Sequence, residues 1–293
     1  MTSVWPPQLL ALLAGEAATP APAEVLALAE AARAEVGESA VAVLFYGSAL
    51  RERAVAGRLV DLYVVTDGYA RLNAAWPLRL LVRLVPPNVY YVETVAAGGT
   101  ERAKYAVVAL EHLRRLVGRG NDNPYFWARF SQPTAIAWAR DDTVRAALVE
   151  ILAQACDTLL ATAGPAPTAR ERWIGAFSRT YRTELRAEPP SRSAAIYEAA
   201  SARYDQIATA LADRPLMPSG EGAWARRRIV GKLMSVLRLT KAAFTFAGGA
   251  DYLAWKIERH SGVKIALTPW QRRHPLLAAP AMFWKLYRQG AFR

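Results

Sequence analysis

Gly47 and Ser48 directly follow a continuous apolar run, and a single aspartate, Asp61, lies inside the next apolar run. A glycine at a strand-to-helix turn lets the backbone approach a phosphate group, whose oxygens can bind the first N–H groups of the helix and the Ser48 hydroxyl. A carboxylate on the adjacent strand can then bind a Mg²⁺ ion that bridges the phosphates. Together these features predict a site for a metal-bound triphosphate.

Asp61 lies in a stretch that otherwise looks buried, between Leu59-Val60 and Leu62, with Val64-Val65 following. An unpaired carboxylate in such surroundings is unfavourable, so we expect Asp61 to bind a metal ion or pair with a cation. The alternative is an ordinary Gly-Ser turn followed by a surface aspartate. That alternative stays open, because a Gly-Ser pair alone is a weak signal.

A second carboxylate normally follows the first by two residues in metal-dependent nucleotidyl transfer, and Tyr63 stands at that position here. Two later carboxylates are candidate replacements for this second metal ligand. We favour Glu93, because a neighbouring strand would bring it to the same edge of the sheet. Asp67 shares a strand face with Asp61 if the strand continues, although Thr66-Asp67-Gly68 is typical of a turn.

The elements that must position these groups are predicted from hydrophobic periodicity and from Gly and Pro breaks. Strands are predicted over 41–46, 58–65, 88–94 and 104–108. Helices are predicted over 7–15, 22–36, 69–83 and 110–117, and then over 141–163, 168–186, 192–213 and 223–246. This pattern predicts an α+β protein with a mixed-sheet domain at 1–140, a mainly helical domain at 141–225 and a basic amphipathic region at 226–293.

The excess positive charge lies entirely in that last region. Of the formal net charge of +12, residues 1–150 contribute none, with 15 Lys and Arg against 15 Asp and Glu. Residues 151–225 carry 8 against 8, and residues 226–293 carry 14 against 2. A basic surface attracts polyanions, and each Lys or Arg near an anionic bilayer contributes about 1 kcal/mol to binding.

Basic, apolar and aromatic residues are mixed in this region, which is typical of a helix lying in a membrane interface. We favour an anionic membrane over nucleic acid as the partner, because no recognisable nucleic-acid motif is present. The alternative is a terminal helix packed on its own domain with solvated charges. The residues expected to contact lipid are Arg226, Arg227, Arg228, Lys232, Arg272, Arg273, Trp284, Lys285 and Arg288.

The cysteine content and the first residues bear on the compartment. Cys156 is the only cysteine, which excludes an internal disulfide and favours a reducing compartment. No Lys or Arg precedes Arg33, unlike the basic start of a secretory signal, and no uninterrupted apolar run reaches the ~20 residues of a membrane span. We expect a cytoplasmic protein that is peripheral to the inner face of the cell membrane.

Five segments resemble, in order, the mitochondrial-type phosphatidate cytidylyltransferases of the translocator assembly and maintenance family, within the nucleotidyltransferase superfamily. The resemblance spans about residues 41–135. The segments are Phe45-Tyr46-Gly47-Ser48-Ala49, Val60-Asp61-Leu62-Tyr63-Val64-Val65, Pro87-Asn88-Val89-Tyr90-Tyr91-Val92-Glu93, Lys104-Tyr105-Ala106-Val107-Val108 and Asn123-Pro124-Tyr125-Phe126-Trp127-Ala128-Arg129-Phe130-Ser131-Gln132-Pro133. Ala49, where the family has Gly, and Tyr63 depart from the expected pattern.

The resemblance implies a nucleotidyltransferase fold that uses Mg²⁺ and CTP to convert phosphatidate, or another phosphorylated lipid, into CDP-diacylglycerol and pyrophosphate. It implies catalytic roles for Asp61, Ser48 and Lys104, and nucleotide binding by Tyr46, Gly47, Ser48 and Lys104. A solvated lysine at a strand end is as consistent with Lys104 as a phosphate contact. Two other functions stay open: nucleotidyl transfer to RNA or protein, and an inactive scaffold that binds membrane.

Overall fold

The computed structural model of the chain describes residues 5–52, 55, 58–72, 76–96, 99–184, 191–245, 266–273 and 278. Within them, five strands form one mixed sheet with helices packed on both faces, which confirms the predicted α+β class. The strands are β1 (Ala40–Tyr46), β2 (Leu59–Thr66), β3 (Asn88–Ala96), β4 (Gly99–Ala109) and β5 (Thr134–Ala139).

The helices flank the sheet in sequence and then continue beyond it. Those within the sheet region are α1 (Pro7–Ala17), α2 (Ala23–Val36), α3 (Ser48–Arg51), α4 (Trp76–Leu84), α5 (Leu110–Val117) and α6 (Tyr125–Phe130). Those after β5 are α7 (Asp142–Ala163), α8 (Ala169–Tyr181), α9 (Ser191–Glu198), α10 (Ser201–Ala210), α11 (Glu221–Thr245) and α12 (Pro269–Arg273). A short 3₁₀ turn, Gly37–Ser39, connects α2 to β1.

The strand order is β3-β4-β2-β1-β5, in which β2 and β4 are parallel and every other neighbouring pair is antiparallel. The register places Tyr46 of β1 opposite Asp61 of β2, and Asp61 opposite Lys104 of β4. Residues opposite one another share a face of the sheet. Three segments of the predicted site therefore meet on one face, at one end of the three central strands.

Alternation along the strands divides the core into two clusters, one on each face. Val43, Phe45 and Leu62 pack on one face against α2, which crosses the whole sheet. The opposite face carries Leu44, Tyr63 and the strand residues two positions away from each of them. These side chains pack against α1, α6, α7 and α8. Asp61 lies two residues before Tyr63 in β2, so its side chain is on the same face of the sheet, which several helices cover.

The start of α7 and α8 follows ordinary capping chemistry. The Asp141 carboxylate accepts a hydrogen bond from the Val144 N–H at 2.8 Å, and the Thr168 hydroxyl accepts one from the Glu171 N–H at 3.1 Å. Such caps satisfy N–H groups that the first helical turn leaves unpaired. By length and composition α7 could cross a membrane, but 72% of its apolar stretch is buried in this fold, where it forms the helical core.

Several predicted boundaries are corrected. The strand β5 was not predicted, α4 begins at Trp76 rather than at residue 69, and α8 ends at Tyr181 rather than at residue 186. The helix predicted over 192–213 divides at Ala199 and Ala200 into α9 and α10. Alanine favours helix, so packing rather than local propensity imposes this break. The break lets the rings of Tyr197 and Tyr204 stack at 5.8 Å between centroids.

Candidate functional site

The turn between β1 and α3 is built around Gly47, whose φ of 89° lies in the left-handed region. A Cβ atom added to Gly47 would lie only 2.9 Å from Oδ2 of Asp61. Glycine is therefore required at this position for two reasons, its backbone conformation and the close approach of the carboxylate. The predicted relationship between the Gly-Ser turn and the aspartate is confirmed, because the Asp61 side chain points to the turn.

Asp61 forms an ion pair with Lys104, with 2.9 Å between Oδ1 and Nζ. Burial alone would lower the pKa of Lys104, but the neighbouring Asp61 carboxylate raises this pKa above its ordinary value. Lys104 is therefore protonated at neutral pH. The expectation that Asp61 needs a metal ion or a cation is met by a cation that the next strand supplies.

A cavity of about 380 Å³ opens beside this ion pair. Its walls come from the Gly47 turn, from β2 and β4, and from α6, α8 and α9. Ser48 and Tyr46, which the resemblance implies as nucleotide-binding residues, also line it. The charged side chains of its described lining are Arg51, Lys104, Arg129 and Arg192 against Asp61 and Glu184. An excess of cations along an open cleft suits a ligand with several phosphate charges.

Arg129 is a cavity residue that the sequence analysis did not single out. Its guanidinium lies over the Tyr125 ring, 4.1 Å from the centroid, and its Nη1 donates a hydrogen bond to the Tyr63 hydroxyl at 3.3 Å. Within the described part of the chain no carboxylate lies within ion-pair distance of Arg129. The signal that could have found it is the position of one arginine inside the aromatic run Tyr125–Phe130.

Tyr125 is held between two guanidinium groups, since Arg238 of α11 lies 3.7 Å from its ring centroid. Burial alone would raise the pKa of Tyr125, but Arg129, Arg238 and a hydrogen bond from Tyr63 lower it below its ordinary value. Two cations therefore favour negative charge on this phenol. Through this contact α11 reaches the wall of the cavity.

Tyr63 occupies the place where the second carboxylate was expected. Its side chain is completely buried, and its ring packs against Tyr46 at 5.2 Å and Phe130 at 4.9 Å between centroids. The structure therefore has a buried aromatic ring, and no second carboxylate, at this position of β2. An aromatic core and the hydroxyl that accepts from Arg129 replace an anionic group.

Neither proposed substitute carboxylate reaches Asp61. The prediction that Glu93 lies on a strand adjacent to Asp61 is wrong, because β4 separates β3 from β2. Oε1 of Glu93 instead accepts hydrogen bonds from Tyr91 at 2.5 Å and Arg102 at 3.2 Å. Asp67 lies just beyond the opposite end of β2 in an ion pair with Arg71.

The donors present fit a magnesium ion only in a limited way. Across the described ranges, no group of three or more His, Cys, Asp or Glu side chains could hold a metal ion. The cavity offers the Asp61 carboxylate and the Ser48 hydroxyl beside the turn. Because Mg²⁺ commonly binds through one or two carboxylates and the substrate phosphates, this set suits an ion that arrives with a nucleotide.

The basic residues expected to contact lipid differ in their surroundings. Arg227 is 2% exposed and its Nη1 donates to the Pro218 carbonyl at 2.9 Å, so its prediction as a lipid contact is wrong. Arg226 pairs with Asp122 at 2.6 Å, and Arg228 with Glu221 at 3.2 Å. Lys232 and Arg272 are exposed. The Arg273 side chain and residues Trp284, Lys285 and Arg288 lie outside the described residues.

The outer face of α11 is apolar. The exposed fractions of Ile229, Leu233, Val236 and Leu237 are 70%, 57%, 46% and 40%. The inner face carries Arg227, Arg238 and Lys241, of which Arg227 and Lys241 are buried. A helix of a soluble protein normally has the reverse arrangement.

Comparisons with known proteins give no family assignment. No model of a known protein family matches the chain, and no curated protein matches it significantly in sequence.

Proposed function

We propose that this protein is a Mg²⁺-dependent nucleotidyltransferase that transfers a cytidylyl group from CTP to phosphatidate or another phosphorylated lipid. The products are CDP-diacylglycerol, or its counterpart, and pyrophosphate. The observation that carries the proposal is the cationic cavity in which the Gly47 turn, Asp61 and Lys104 meet. The choice of CTP and of a lipid acceptor rests on the resemblance of residues 41–135 to lipid cytidylyltransferases.

The residues of the cavity suit a reaction that depends on position and charge. An oxygen of the acceptor phosphate would form a bond to the α-phosphorus, and the bond from that phosphorus to the bridging oxygen of the β-phosphate would break. Lys104, Arg129 and Arg51 would neutralise the phosphates, which is the main requirement of phosphoryl transfer. The acceptor is already anionic at neutral pH and needs no general base. His112, the histidine within the described residues, does not line this cavity.

Mg²⁺ would be held by Asp61 together with phosphate oxygens, and when bound it would stabilise the negative charge of the leaving pyrophosphate. Lys104 would then exchange its ion pair with Asp61 for a phosphate contact. The Ser48 hydroxyl and the N–H groups at the turn would orient the phosphate chain.

The apolar outer face of α11 supports a membrane-associated acceptor. Four exposed aliphatic side chains lie along this face, and Lys232 and Arg226 are exposed on the same helix. Exposed apolar side chains combined with nearby cations favour binding at the boundary between headgroups and acyl chains. Because Arg238 on the inner face contacts Tyr125, a bound bilayer would lie against a helix that packs on the cavity wall.

One observation favours a different function. Tyr63 replaces the second carboxylate, which is the change expected in a nucleotidyltransferase-like protein that has lost catalysis and retains membrane binding. Transfer to RNA or protein is the remaining alternative.

These functions are separated by incubating the protein with α-³²P-labelled CTP, ATP or UTP, Mg²⁺ and vesicles that contain phosphatidate. Label from CTP in the organic phase supports lipid cytidylyl transfer. Label on RNA or protein indicates another acceptor, and vesicle binding without transfer indicates the scaffold. The Asp61→Asn variant should lose at least about 10³-fold in rate. Glu93→Gln is the matched control and should retain full activity, since Glu93 pairs with Arg102 outside the cavity.

A further inference from the structure

A second cavity of about 480 Å³ lies at the opposite end of the parallel strands β2 and β4. Its floor is the segment 67–70 that follows β2, and Ala109 at the end of β4. Its two sides are α4 and α5. The site formed by Asp61 and Lys104 is at the other end of the same strands, so the two cavities are distinct.

Both helices present basic side chains to this second cavity. Arg79 and Arg83 are one turn apart on α4, and His112 and Arg115 are one turn apart on α5, and all four line the space. Residues spaced by three or four share a helix face. The two helices therefore direct four nitrogen-bearing side chains into one opening.

The carboxylates that line the second cavity are engaged with arginines outside it. Asp67 pairs with Arg71, and Glu111 pairs with Arg114 at 3.5 Å. In the described portion of the chain, neither Arg83 nor Arg115 has a carboxylate within ion-pair distance. The opening consequently has an excess of positive charge.

The excess positive charge affects the pKa of His112. The Ala109 N–H donates to the Tyr69 hydroxyl at 3.1 Å, and the Tyr69 hydroxyl lies 2.8 Å from Nδ1 of His112. The Tyr69 hydroxyl and Nδ1 of His112 share a hydrogen bond whose direction follows the tautomer of the imidazole. Burial, followed by the charges of Arg115 and Arg83, lowers the pKa of His112. The charges of both arginines therefore act on the His112 ring.

We propose that the second cavity is a binding site for a phosphate-sized oxyanion, held by Arg83 and Arg115 with His112 beside it. Guanidinium groups bind phosphate through paired, charge-assisted hydrogen bonds. The apolar wall formed by Leu80 and Ala70 leaves room for a small organic group attached to the phosphate. The site does not depend on the proposed transfer reaction.

Binding of an oxyanion would be linked to the protonation of His112. A bound dianion adds negative charge near the imidazole and favours its protonated form, so the pKa of His112 rises on binding. By reciprocity, an oxyanion whose own charge stays constant binds more tightly as the pH falls through that pKa. Besides His112, the charged and titratable groups of the described lining are Tyr69 and Asp67 from the floor, Arg79 and Arg83 from α4, and Glu111 and Arg115 from α5.

The test is an NMR titration of the His112 ring with inorganic phosphate, in the full chain labelled at histidine and assigned with His112→Gln. To exclude phosphate in the first cavity, the titration is repeated with Lys104→Met. We expect the pKa of His112 to rise with phosphate in both proteins. The Arg83→Gln/Arg115→Gln variant should weaken the apparent phosphate affinity at least about tenfold.

The matched control is Arg145→Gln/Arg170→Gln, which removes two charges outside the cavity and should leave the affinity unchanged. The proposal is overturned if added phosphate changes neither the chemical shift nor the pKa of His112 in the wild-type chain. It is also overturned if both double variants reduce the phosphate affinity equally, because the reduction then comes from the lower net charge of the protein. Neither result bears on nucleotidyl transfer, and loss of transfer does not predict either of them.

Discussion

The carboxylate of Asp61 fills the space that any side chain on Gly47 would require, with 2.9 Å between Oδ2 and the position of an added Cβ. The turn that would approach a phosphate and the group that would bind the metal are thus in direct contact. A change at either residue alters the position of the other. This contact distinguishes Gly47 from a glycine that is needed only for its backbone.

Gly47→Ala should impair both stability and nucleotide binding, and Gly37→Ala is its control. The two glycines have nearly the same backbone conformation, with φ of 89° and ψ of −159° at Gly47 and φ of 81° and ψ of −158° at Gly37. Nothing lies within 4 Å of a Cβ on Gly37. Each substitution should cost about 1–3 kcal/mol of backbone strain, and only Gly47→Ala adds a clash.

Urea unfolding measures the stability difference, and titration with Mg²⁺-CTP measures binding. We expect Gly47→Ala to lose at least about 1 kcal/mol more than Gly37→Ala and to bind nucleotide at least about tenfold more weakly. Equal losses of stability together with unchanged binding in Gly47→Ala would show that the contact with Asp61 has no role.

Local pattern was sufficient for much of the fold and for the centre of the site. The apolar runs at 41–46 and 58–65 predicted β1 and β2, because a buried strand needs apolar side chains on both faces. The interruption of the second run by Asp61 correctly marked a carboxylate beside the Gly47 turn. These inferences depend on residues that are close in sequence or in adjacent strands.

Strand order could not be predicted in the same way. The chain leaves β2, forms β3 at the edge and returns to place β4 between them, so residues about forty positions apart, Asp61 and Lys104, become neighbours. No local signal specifies this crossover, and for that reason Glu93 was expected in the place that Lys104 holds. Two arginines of the cavity wall could not be predicted for a similar reason, since Arg129 and Arg192 come from helices that are distant in sequence from the Gly47 turn.

Arg238→Met should weaken nucleotide binding although Arg238 does not line the cavity. Its guanidinium lies 3.7 Å from the centroid of Tyr125, which forms part of the cavity wall. Removing the charge loses the contact that positions the Tyr125 ring in the cavity wall, so we expect nucleotide binding to be several-fold weaker. The pKa of Tyr125 should also rise, because one of the cations that lower it is gone.

Isothermal titration with Mg²⁺-CTP and an NMR pH titration of the tyrosine rings measure these two effects. Arg228→Met serves as the control on the same helix, since Arg228 pairs with Glu221 and does not contact Tyr125. If both variants bind like the wild type, Arg238 serves only to pack α11.

Lys241 should make stability depend on pH between about 7 and 9.5. Its buried ammonium donates hydrogen bonds to the carbonyl oxygens of Val85 and Pro87, the second at 2.6 Å. Burial, and then the charge of Arg238, lowers the pKa of Lys241 to about 7. The ordinary pKa of lysine in an unfolded chain is about 10.4, so in this window the unfolded state binds more protons and stability rises with pH.

Urea unfolding at several pH values gives the free energy of unfolding for the wild type and for Lys241→Met. The wild-type value minus the variant value should increase from pH 7 to pH 9.5, because the variant lacks this titration. Lys232→Met, at an exposed position of α11, is the control for removing a lysine from the same helix. A difference that falls as the pH rises would mean that the two carbonyl contacts hold Lys241 charged.

Asp157 should be one of the most sensitive positions for stability, although it lines neither of the two cavities. Its side chain is 2% exposed, and its two oxygens accept from Nε and Nη2 of Arg119, both at 2.6 Å, while Nε of Arg214 donates at 3.2 Å. The interaction joins α7 to the loop after α5 and to the segment after α10. Asp157→Asn keeps the volume but leaves two partly buried guanidinium groups facing an amide.

We expect Asp157→Asn to reduce the free energy of unfolding by about 2–4 kcal/mol, because breaking a buried ion pair leaves an uncompensated charge. Glu198→Gln is the comparison: Glu198 pairs with Arg170, both side chains are more than half exposed, and the loss should stay below about 1 kcal/mol. If the two variants lose similar amounts of unfolding free energy, the ion pairs of Asp157 contribute no more to stability than a surface pair does. A large loss for Asp157→Asn alone would establish that the helical part is anchored through its own buried carboxylate, independently of the one at the Gly47 turn.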